Sequence, residues 1–143
     1  YVIASLHVPC LKSGNAKENT DALIGAMKNP YVKIIGHPDD GRYPLEYERL
    51  ICAAHEYKVA LEVNNSSFVA RSGRQNAAEN VAEWLAVAKT SRLPVILGSD
   101  AHIYYDVGDV SESIKALERA VYPEELVLNA RKDGIEYVLN GRG

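Results

Sequence analysis

Three of the four histidines in the sequence stand at or just after the ends of short apolar segments. These are His7, His37 and His102, and Asp100 lies two residues before the last of them. Imidazole nitrogen and carboxylate oxygen are the usual protein ligands of zinc, manganese and iron. On an extended segment, residues two apart project to the same side, so Asp100 and His102 can bind one ion or two adjacent ions. The pattern predicts a metal site formed by these four side chains.

Each histidine also has a structural interpretation, because a neutral imidazole at the end of a strand can simply cap a loop. That alternative stays open for each one taken alone. The fourth histidine, His55, falls inside a predicted helix with an apolar face, and there we prefer the structural interpretation.

The candidate ligands follow a regular alternation of predicted strands and helices. Near-continuous hydrophobicity is typical of strands covered on both faces, and it marks four segments, at 1–6, 32–35, 59–63 and 95–97. Helical periodicity marks five others, at 19–28, 45–57, 76–90, 111–120 and 131–139. The strand ends recur about every thirty residues, which is the size of one βαβ unit, so the strands are predicted to be parallel.

Consecutive units of this kind predict an α/β fold, either an open doubly wound sheet or part of a (β/α) barrel. The two architectures agree on the position of functional groups, which gather beyond the carboxyl ends of the strands. All four candidate ligands fall at such ends, so either fold would bring them to one rim.

The composition limits the classes of partner. Apolar residues make up 47% and charged residues 24%, which is typical of a globular domain. The 16 basic and 19 acidic residues give a net charge of -3, which argues against a broad surface for nucleic acid or anionic membranes. A small phosphorylated ligand stays compatible with this charge.

The two cysteines, Cys10 and Cys52, form no disulfide framework and indicate reduced thiols of an intracellular protein, so we expect a cytoplasmic location. Cys10 follows His7 by three residues, but we interpret it as a buried thiol or a bystander rather than a ligand. Apolar segments are far shorter than the roughly 18 residues of a membrane span, so no membrane association is expected.

The motifs, in their order, resemble the carboxyl-terminal part of PHP-domain (polymerase and histidinol phosphatase) proteins. They are the strand-end His7, then Gly-His-Pro at 36–38, Glu-Val-Asn-Asn-Ser-Ser at 62–67 and Gly-Ser-Asp-Ala-His at 98–102. The resemblance covers nearly the whole chain and is strongest to bacterial single-domain PHP phosphatases. It implies that the parallel βα units form part of a distorted (β/α)7 TIM-like barrel with a three-metal site.

The resemblance also implies a role for each candidate ligand. His7 and His37 match two histidines that hold one metal, Asp100 matches an aspartate on a second, and His102 matches a histidine on a third. The remaining ligands of the family, including a His-x-His motif and a bridging Glu, have no counterpart here, and Glu62 lies on the wrong motif to be that bridge. The implied activity is hydrolysis of a phosphate ester by metal-activated water, with zinc, manganese or iron.

Polar residues on the rim loops are candidates for binding the substrate phosphate. Asn64 and Asn65 follow the third strand, while Arg42 and Arg71, or Arg74, lie in loops after predicted strands. An arginine can pair with a phosphate through two parallel hydrogen bonds. The alternatives are turn formation for the asparagines and solvation for the arginines.

Two acidic residues follow the second histidine, and we give them a structural interpretation. Asp39 and Asp40 can approach a metal, but turn formation and solvation explain them more simply.

The chain begins at Tyr1, inside a predicted strand, and an eight-unit barrel needs about 250 residues. We therefore expect residues 1–143 to be the carboxyl-terminal portion of a single PHP domain. Two other functions stay open: a non-catalytic PHP fragment that binds partners, and a barrel metallohydrolase of the amidohydrolase type. An incomplete barrel exposes a sheet edge, so self-association is expected unless upstream chain covers that edge.

Overall fold

The computed structural model describes residues 1–69 and 72–140, and these ranges contain a parallel β-sheet. Its strands, in chain order and in spatial order, are β1 (Val2–Ala4), β2 (Val32–Ile35), β3 (Ala60–Asn64) and β4 (Val95–Gly98). Each neighbouring pair of strands runs parallel. The predicted α/β fold of parallel βα units is confirmed, with β1 shorter than the predicted segment.

The helices follow the strands as predicted. They are α1 (Ala16–Met27), α2 (Tyr47–Glu56), α3 (Ala77–Thr90), α4 (Ser111–Arg119) and α5 (Gly134–Asn140). None of the helices in the described ranges is long and apolar enough to cross a membrane.

Helix α1 begins earlier than its apolar period predicts because a capping box fixes its first turn. Asn15 Oδ1 accepts a hydrogen bond from the Glu18 backbone N–H at 3.0 Å, and Glu18 Oε2 accepts one from the Asn15 backbone N–H at 2.9 Å. Two N–H groups that the helix itself cannot pair are satisfied in this way. The boundary is therefore set by polar residues outside the apolar pattern.

The strands present different side chains to the two faces of the sheet. Leu61 and Val63 of β3 belong to the main core, together with buried residues of α1, α2, α3 and α4. On the other face, Ile34 and Ala60 form a smaller cluster with Val138 of α5. Helices α1 to α4 therefore cover one face of the sheet, and α5 covers part of the other.

Helix α3 supplies the largest side chain of the main core. Trp84 is 0% exposed, and Leu85 and Ala88 beside it are fully buried as well. Tyr57, the residue after α2, packs against the same core. Trp84 and Tyr57 thus both contribute to the packing of the main core.

Candidate functional site

A pocket of about 490 Å³ lies at the carboxyl ends of the strands. His7, His37, Asp100 and His102 all contribute to its lining. The rest of the lining consists of polar and charged residues and one isoleucine, namely Arg42, Ser66, Ser72, Arg74, Ile103 and Asp106. The parallel strands thus bring the four candidate ligands, from distant parts of the sequence, to a shared cavity.

His7 and His37 are in direct contact. Their Nε2 atoms are 3.2 Å apart, and their rings stand nearly perpendicular, at 78° with centroids 4.8 Å apart. Two imidazole nitrogens that each bind a tetrahedral zinc ion at about 2.0–2.1 Å lie about 3.3 Å from one another. The observed separation therefore fits two ligands of one ion.

His37 is buried, and its backbone is constrained. It is 8% exposed and adopts a positive φ of 33°, which is uncommon for a residue with a side chain. Burial, reinforced by the nearby charges of Arg74 and His7, lowers the pKa of His37 to about 4. The imidazole is consequently neutral near pH 7, which is the form that binds metals.

Asp100 and His102 form the opposite pair of candidate ligands. Asp100 also has a positive φ, of 51°, and its Oδ1 lies 4.0 Å from His102 Nδ1. His102 Nδ1 donates to the Asp100 carbonyl oxygen at 2.8 Å, which leaves Nε2 of this exposed ring as the atom with a lone pair. Within the described ranges, no three His, Cys, Asp or Glu side chains are grouped closely enough to hold one metal ion by themselves.

Arg74 is an ion-pair partner inside the pocket rather than a solvated surface residue. Its side chain is 8% exposed, and Nη2 donates to Asp100 Oδ2 at 2.7 Å. Burial alone would raise the pKa of Asp100, but the hydrogen bond and charge of Arg74 outweigh it and hold that pKa below its ordinary value. The solvated alternative for Arg74 is therefore wrong. An ion pair with an aspartate 26 positions away has no local signal in the sequence.

Arg42 lies on the rim of the pocket and is held there by Asp40. Its Nε donates to Asp40 Oδ2 at 2.9 Å and its Nη2 donates to the same oxygen at 2.6 Å. Asp40 is only 4% exposed, so the solvated interpretation of this carboxylate is wrong. The other rim arginine proposed for phosphate binding, Arg71, lies outside the described residues.

The structure gives Asn64 and Asn65 partners within the protein and places neither in the lining of the pocket. Asn64 is 2% exposed, donates to Glu62 and accepts from Arg74. Asn65 Oδ1 accepts the backbone N–H groups of Glu112 and Ser113 at the start of α4, at 2.8 and 3.1 Å. These contacts give both asparagines a structural role, because buried polar groups in proteins are normally hydrogen-bonded. Direct contact with a phosphate stays a prediction.

Replacing Asn65 by alanine is expected to reduce stability by about 1–2 kcal/mol, because two N–H groups of α4 lose their acceptor. Urea unfolding of the chain measures this difference. Asn65→Asp is the matched variant, since it keeps an oxygen for the same two donors and should lose less. An unchanged unfolding midpoint for Asn65→Ala would contradict the capping role.

Asp39 is the most deeply buried acidic residue of the site region. It is 0% exposed, and neither of its carboxylate oxygens has a hydrogen-bond partner among the described residues. Burial raises the pKa of Asp39 to about 7, although the nearby Ser67 hydroxyl, which lies outside hydrogen-bonding geometry, and the Arg74 charge act in the opposite direction. The solvated interpretation of Asp39 is wrong. A Pro-Asp-Asp-Gly sequence is typical of a surface turn, and it gave no sign of this burial.

Asp39→Asn is expected to stabilise the chain near and above neutral pH. The folded pKa of Asp39, about 7, lies above the ordinary value of 3.8. The contribution of Asp39 to the free energy of unfolding is therefore fully present below pH 3.8, where its carboxyl is protonated, and is lost as the pH rises through about 7. Ionisation of the buried carboxyl costs at most about 4 kcal/mol, which the amide avoids.

Unfolding free energies at about pH 5 and about pH 8 test this sign. The gain from Asp39→Asn should be larger at the higher pH, whereas Asp133→Asn, at an exposed position, should change little. A gain that is absent at both pH values would contradict the burial of an unpaired carboxyl.

The remaining sequence candidates have no role in the pocket. Cys10 is exposed and does not line it, so of the two interpretations only that of a bystander remains. His55 lies on α2 with Nε2 3.2 Å from the Ser91 carbonyl oxygen, in keeping with a structural role. Sequence reasoning did not find Ser72 or Asp106, two polar residues of the lining that follow no motif.

The fold and the pocket together define an α/β protein with histidines and a carboxylate at the carboxyl ends of parallel strands. No protein-family model matches the chain. Curated proteins named "Probable phosphatase" are similar to it. One from Caldanaerobacter subterraneus subsp. tengcongensis is 48% identical over 140 residues, one from Thermoanaerobacter sp. is 46% identical over 129, and one from Clostridium botulinum is 37% identical over 142.

These similarities cover 96%, 90% and 99% of this chain, respectively, but only 54%, 52% and 57% of the relatives. The chain thus spans about half the length of the curated relatives that it matches.

Proposed function

We propose that the pocket is part of the active site of a metal-dependent phosphoesterase. The observation that carries the proposal is the contact between His7 and His37, whose Nε2 atoms are spaced as two ligands of one cation. Asp100 and His102 on the same pocket supply the donor types that zinc, manganese and iron prefer. The similarity to proteins named probable phosphatases favours phosphate esters as the substrates.

The proposal extends to the fold. Four consecutive parallel strands, with α1 to α4 on one face, suit an arc of a distorted (β/α)7 barrel of the PHP type. The share of the relatives that the chain covers suits the carboxyl-terminal portion of such a barrel. In this arrangement the further metal ligands, for up to three ions, belong to the preceding portion. Location in the cytoplasm stays a prediction, and both cysteines are free thiols.

The residues of this chain have distinct tasks in the proposed reaction. His7 and His37 hold one cation through Nε2, while Asp100 Oδ1 and His102 Nε2 are the atoms left to bind others. A bound cation would activate water near neutral pH and offset charge on the phosphoryl oxygens. No serine or cysteine nucleophile is then required.

Two arginines supply positive charge for a phosphate. Arg42 is anchored by Asp40 on the rim, and Arg74 lies in the lining. The guanidinium of Arg74 carries five N–H donors, and the bonds to Asn64, Ser67 and Asp100 use three of them. The hydroxyls of Ser66 and Ser72 line the same pocket. These groups would orient a small phosphorylated substrate against the cation.

The test is phosphate release from p-nitrophenyl phosphate by this chain and by a longer form that begins upstream, before and after treatment with a chelator. We expect activity in the longer form, loss on chelation, and recovery with zinc, manganese or iron. Activity that survives chelation would contradict metal dependence. Turnover of amide substrates alone would favour the amidohydrolase type, and metal binding without turnover in both forms would favour a non-catalytic module.

We also propose that the chain self-associates through the free edge of β1. Among the strands of the described residues, β1 pairs with β2 alone, and its Val2 and Ile3 are 46% and 51% exposed. Analytical ultracentrifugation should show an average mass that rises with concentration. Val2→Lys should reduce it, because a charge on an edge strand opposes pairing, whereas Ile114→Lys on α4 should not. A monomer at every concentration would refute this part of the proposal.

A further inference from the structure

A carboxylate lies beneath the pocket, on the sheet face opposite to the main core. It belongs to Glu62 of β3, whose neighbours Leu61 and Val63 belong to the main core on the other face. Burial raises the pKa of Glu62, so the surroundings disfavour its charge. A carboxylate in such surroundings is costly unless its hydrogen bonds compensate.

Gly98 makes room for this carboxylate, and Gly36 lies beside it on the other neighbouring segment. A Cβ placed on Gly98 of β4 would overlap Glu62 Oε1, and one placed on Gly36, just after β2, would lie 3.4 Å from Oε2. Gly36 precedes His37, and Gly98 stands two residues before Asp100. The carboxylate is thus seated between the two chain segments that lead into candidate ligands.

Its hydrogen bonds join those two segments. Glu62 Oε2 accepts the backbone N–H of His37 at 3.0 Å and the side-chain amide of Asn64, also at 3.0 Å. Asn64 Oδ1 accepts from Arg74 Nη1 at 2.9 Å, and Arg74 Nη2 donates to Asp100 Oδ2 at 2.7 Å. A continuous chain of hydrogen bonds therefore runs from His37 to Asp100 through three side chains.

Both ends of this chain are residues with a strained backbone. His37 and Asp100 each have a positive φ, which a residue with a side chain keeps only when its surroundings enforce it. Glu62 holds the N–H of the first, and Arg74 holds the carboxylate of the second. These hydrogen bonds fix the two residues relative to each other, and they leave His37 Nε2 and Asp100 Oδ1 facing the pocket.

We propose that Glu62 is a positioning residue of the pocket, which sets His37 directly, and Asp100 through Asn64 and Arg74, in the arrangement that binds a cation. The inference rests on the proposed metal-binding role of His37 and Asp100. It assigns no ligand role to Glu62, which does not line the pocket. Groups that orient metal ligands typically affect metal affinity by about 10–100-fold when they are removed.

The test is a zinc titration of the chain, followed by NMR signals of the His37 ring, with three variants. Glu62→Ala removes the acceptor and should weaken zinc binding by about 10–100-fold. Glu62→Gln retains an oxygen that can accept both hydrogen bonds, and it should keep most of the affinity. Gly98→Ala keeps the Glu62 carboxylate but displaces its tip, so it should also weaken zinc binding.

Matched controls separate positioning from a general loss of structure. Glu56→Ala alters an exposed glutamate at the end of α2, and Gly25→Ala adds a methyl group that meets no other part of the protein within 4 Å beyond the backbone of its own helix and its chain neighbours. Neither should change zinc affinity. If Glu62→Ala does not fold, Gly98→Ala decides the matter, because the atom it meets is the movable end of a side chain. The His37 backbone amide signal, recorded without zinc, should shift in Glu62→Ala and remain close to its original position in Glu62→Gln.

Unchanged zinc affinity in both Glu62→Ala and Gly98→Ala would overturn the inference. So would an equal loss in Glu62→Gln and Glu62→Ala, since charge rather than hydrogen-bond geometry would then be decisive. Failure of the proposed function has a different signature: the unaltered chain would show no zinc-dependent shift of the His37 ring. The amide signal in zinc-free samples would still report whether Glu62 holds His37.

Discussion

Replacing His37 by alanine is expected to weaken zinc binding by more than about 100-fold, because loss of a direct ligand should exceed the effect of losing a group that merely orients one. His7→Ala should cause a similar loss, since the two Nε2 atoms have the spacing expected of two ligands of one ion. Isothermal titration calorimetry with zinc at constant pH measures each affinity.

The double variant, His7→Ala with His37→Ala, tests whether the two histidines bind the same ion. If His7 and His37 bind the same ion, removing both should cost much less than the sum of the two single losses, because neighbouring groups with a shared partner are not additive. His55→Ala, on the exposed side of α2, is the matched control and should bind zinc normally. Full additivity, or wild-type affinity in His37→Ala, would contradict a shared site.

Trp84→Ala is expected to have the largest effect on folding, a loss of about 3–5 kcal/mol, because truncating a buried tryptophan leaves a cavity. Trp84 is 0% exposed and lies in the core between α3 and the sheet. Guanidinium unfolding measures the loss. Tyr104→Ala removes an aromatic ring that is 74% exposed and should change stability by less than about 0.5 kcal/mol.

Trp84→Phe distinguishes packing from hydrogen bonding. The indole Nε1 is buried and has no hydrogen-bond partner among the described residues. Phenylalanine removes this unpaired donor, so its cost should be clearly smaller than that of alanine. A loss as large as that of Trp84→Ala would show that Nε1 has a partner essential for folding.

The strands and helices were predictable because apolar periodicity directly reflects burial. β2 has the predicted bounds, and the predicted helices all exist. Differences arise where burial is not the determining factor. The capping box of Asn15 and Glu18 starts α1 outside its apolar period, and β1 is shorter than its apolar segment.

The sequence could predict which residues meet in the pocket, because the ends of parallel strands determine where these residues lie. Parallel topology brings His7, His37, Asp100 and His102 to one cavity, and no contact between side chains needs to be known for that step. The partners of each side chain were not predictable. Asp39 looked like a turn residue and is buried, because turn-forming residues have the same local sequence whether the turn faces water or the protein.

Residues of the Asn-Asn-Ser-Ser motif show the same limit. Asn65, a candidate for phosphate binding, caps α4, a helix that begins 46 positions later in the sequence. Glu62 was set aside for lack of a bridging motif, whereas the structure places it in the hydrogen-bond chain between two candidate ligands. Tertiary contacts of this kind have no periodic signal in a single sequence.

We propose above that His7 and His37 together bind a divalent cation. Anomalous diffraction at the zinc edge, from crystals of the chain grown with zinc, tests it most directly. We expect a peak about 2.0–2.1 Å from Nε2 of both His7 and His37. A zinc peak elsewhere in the molecule, with no peak near the two Nε2 atoms and the two imidazoles still in contact, would contradict shared binding.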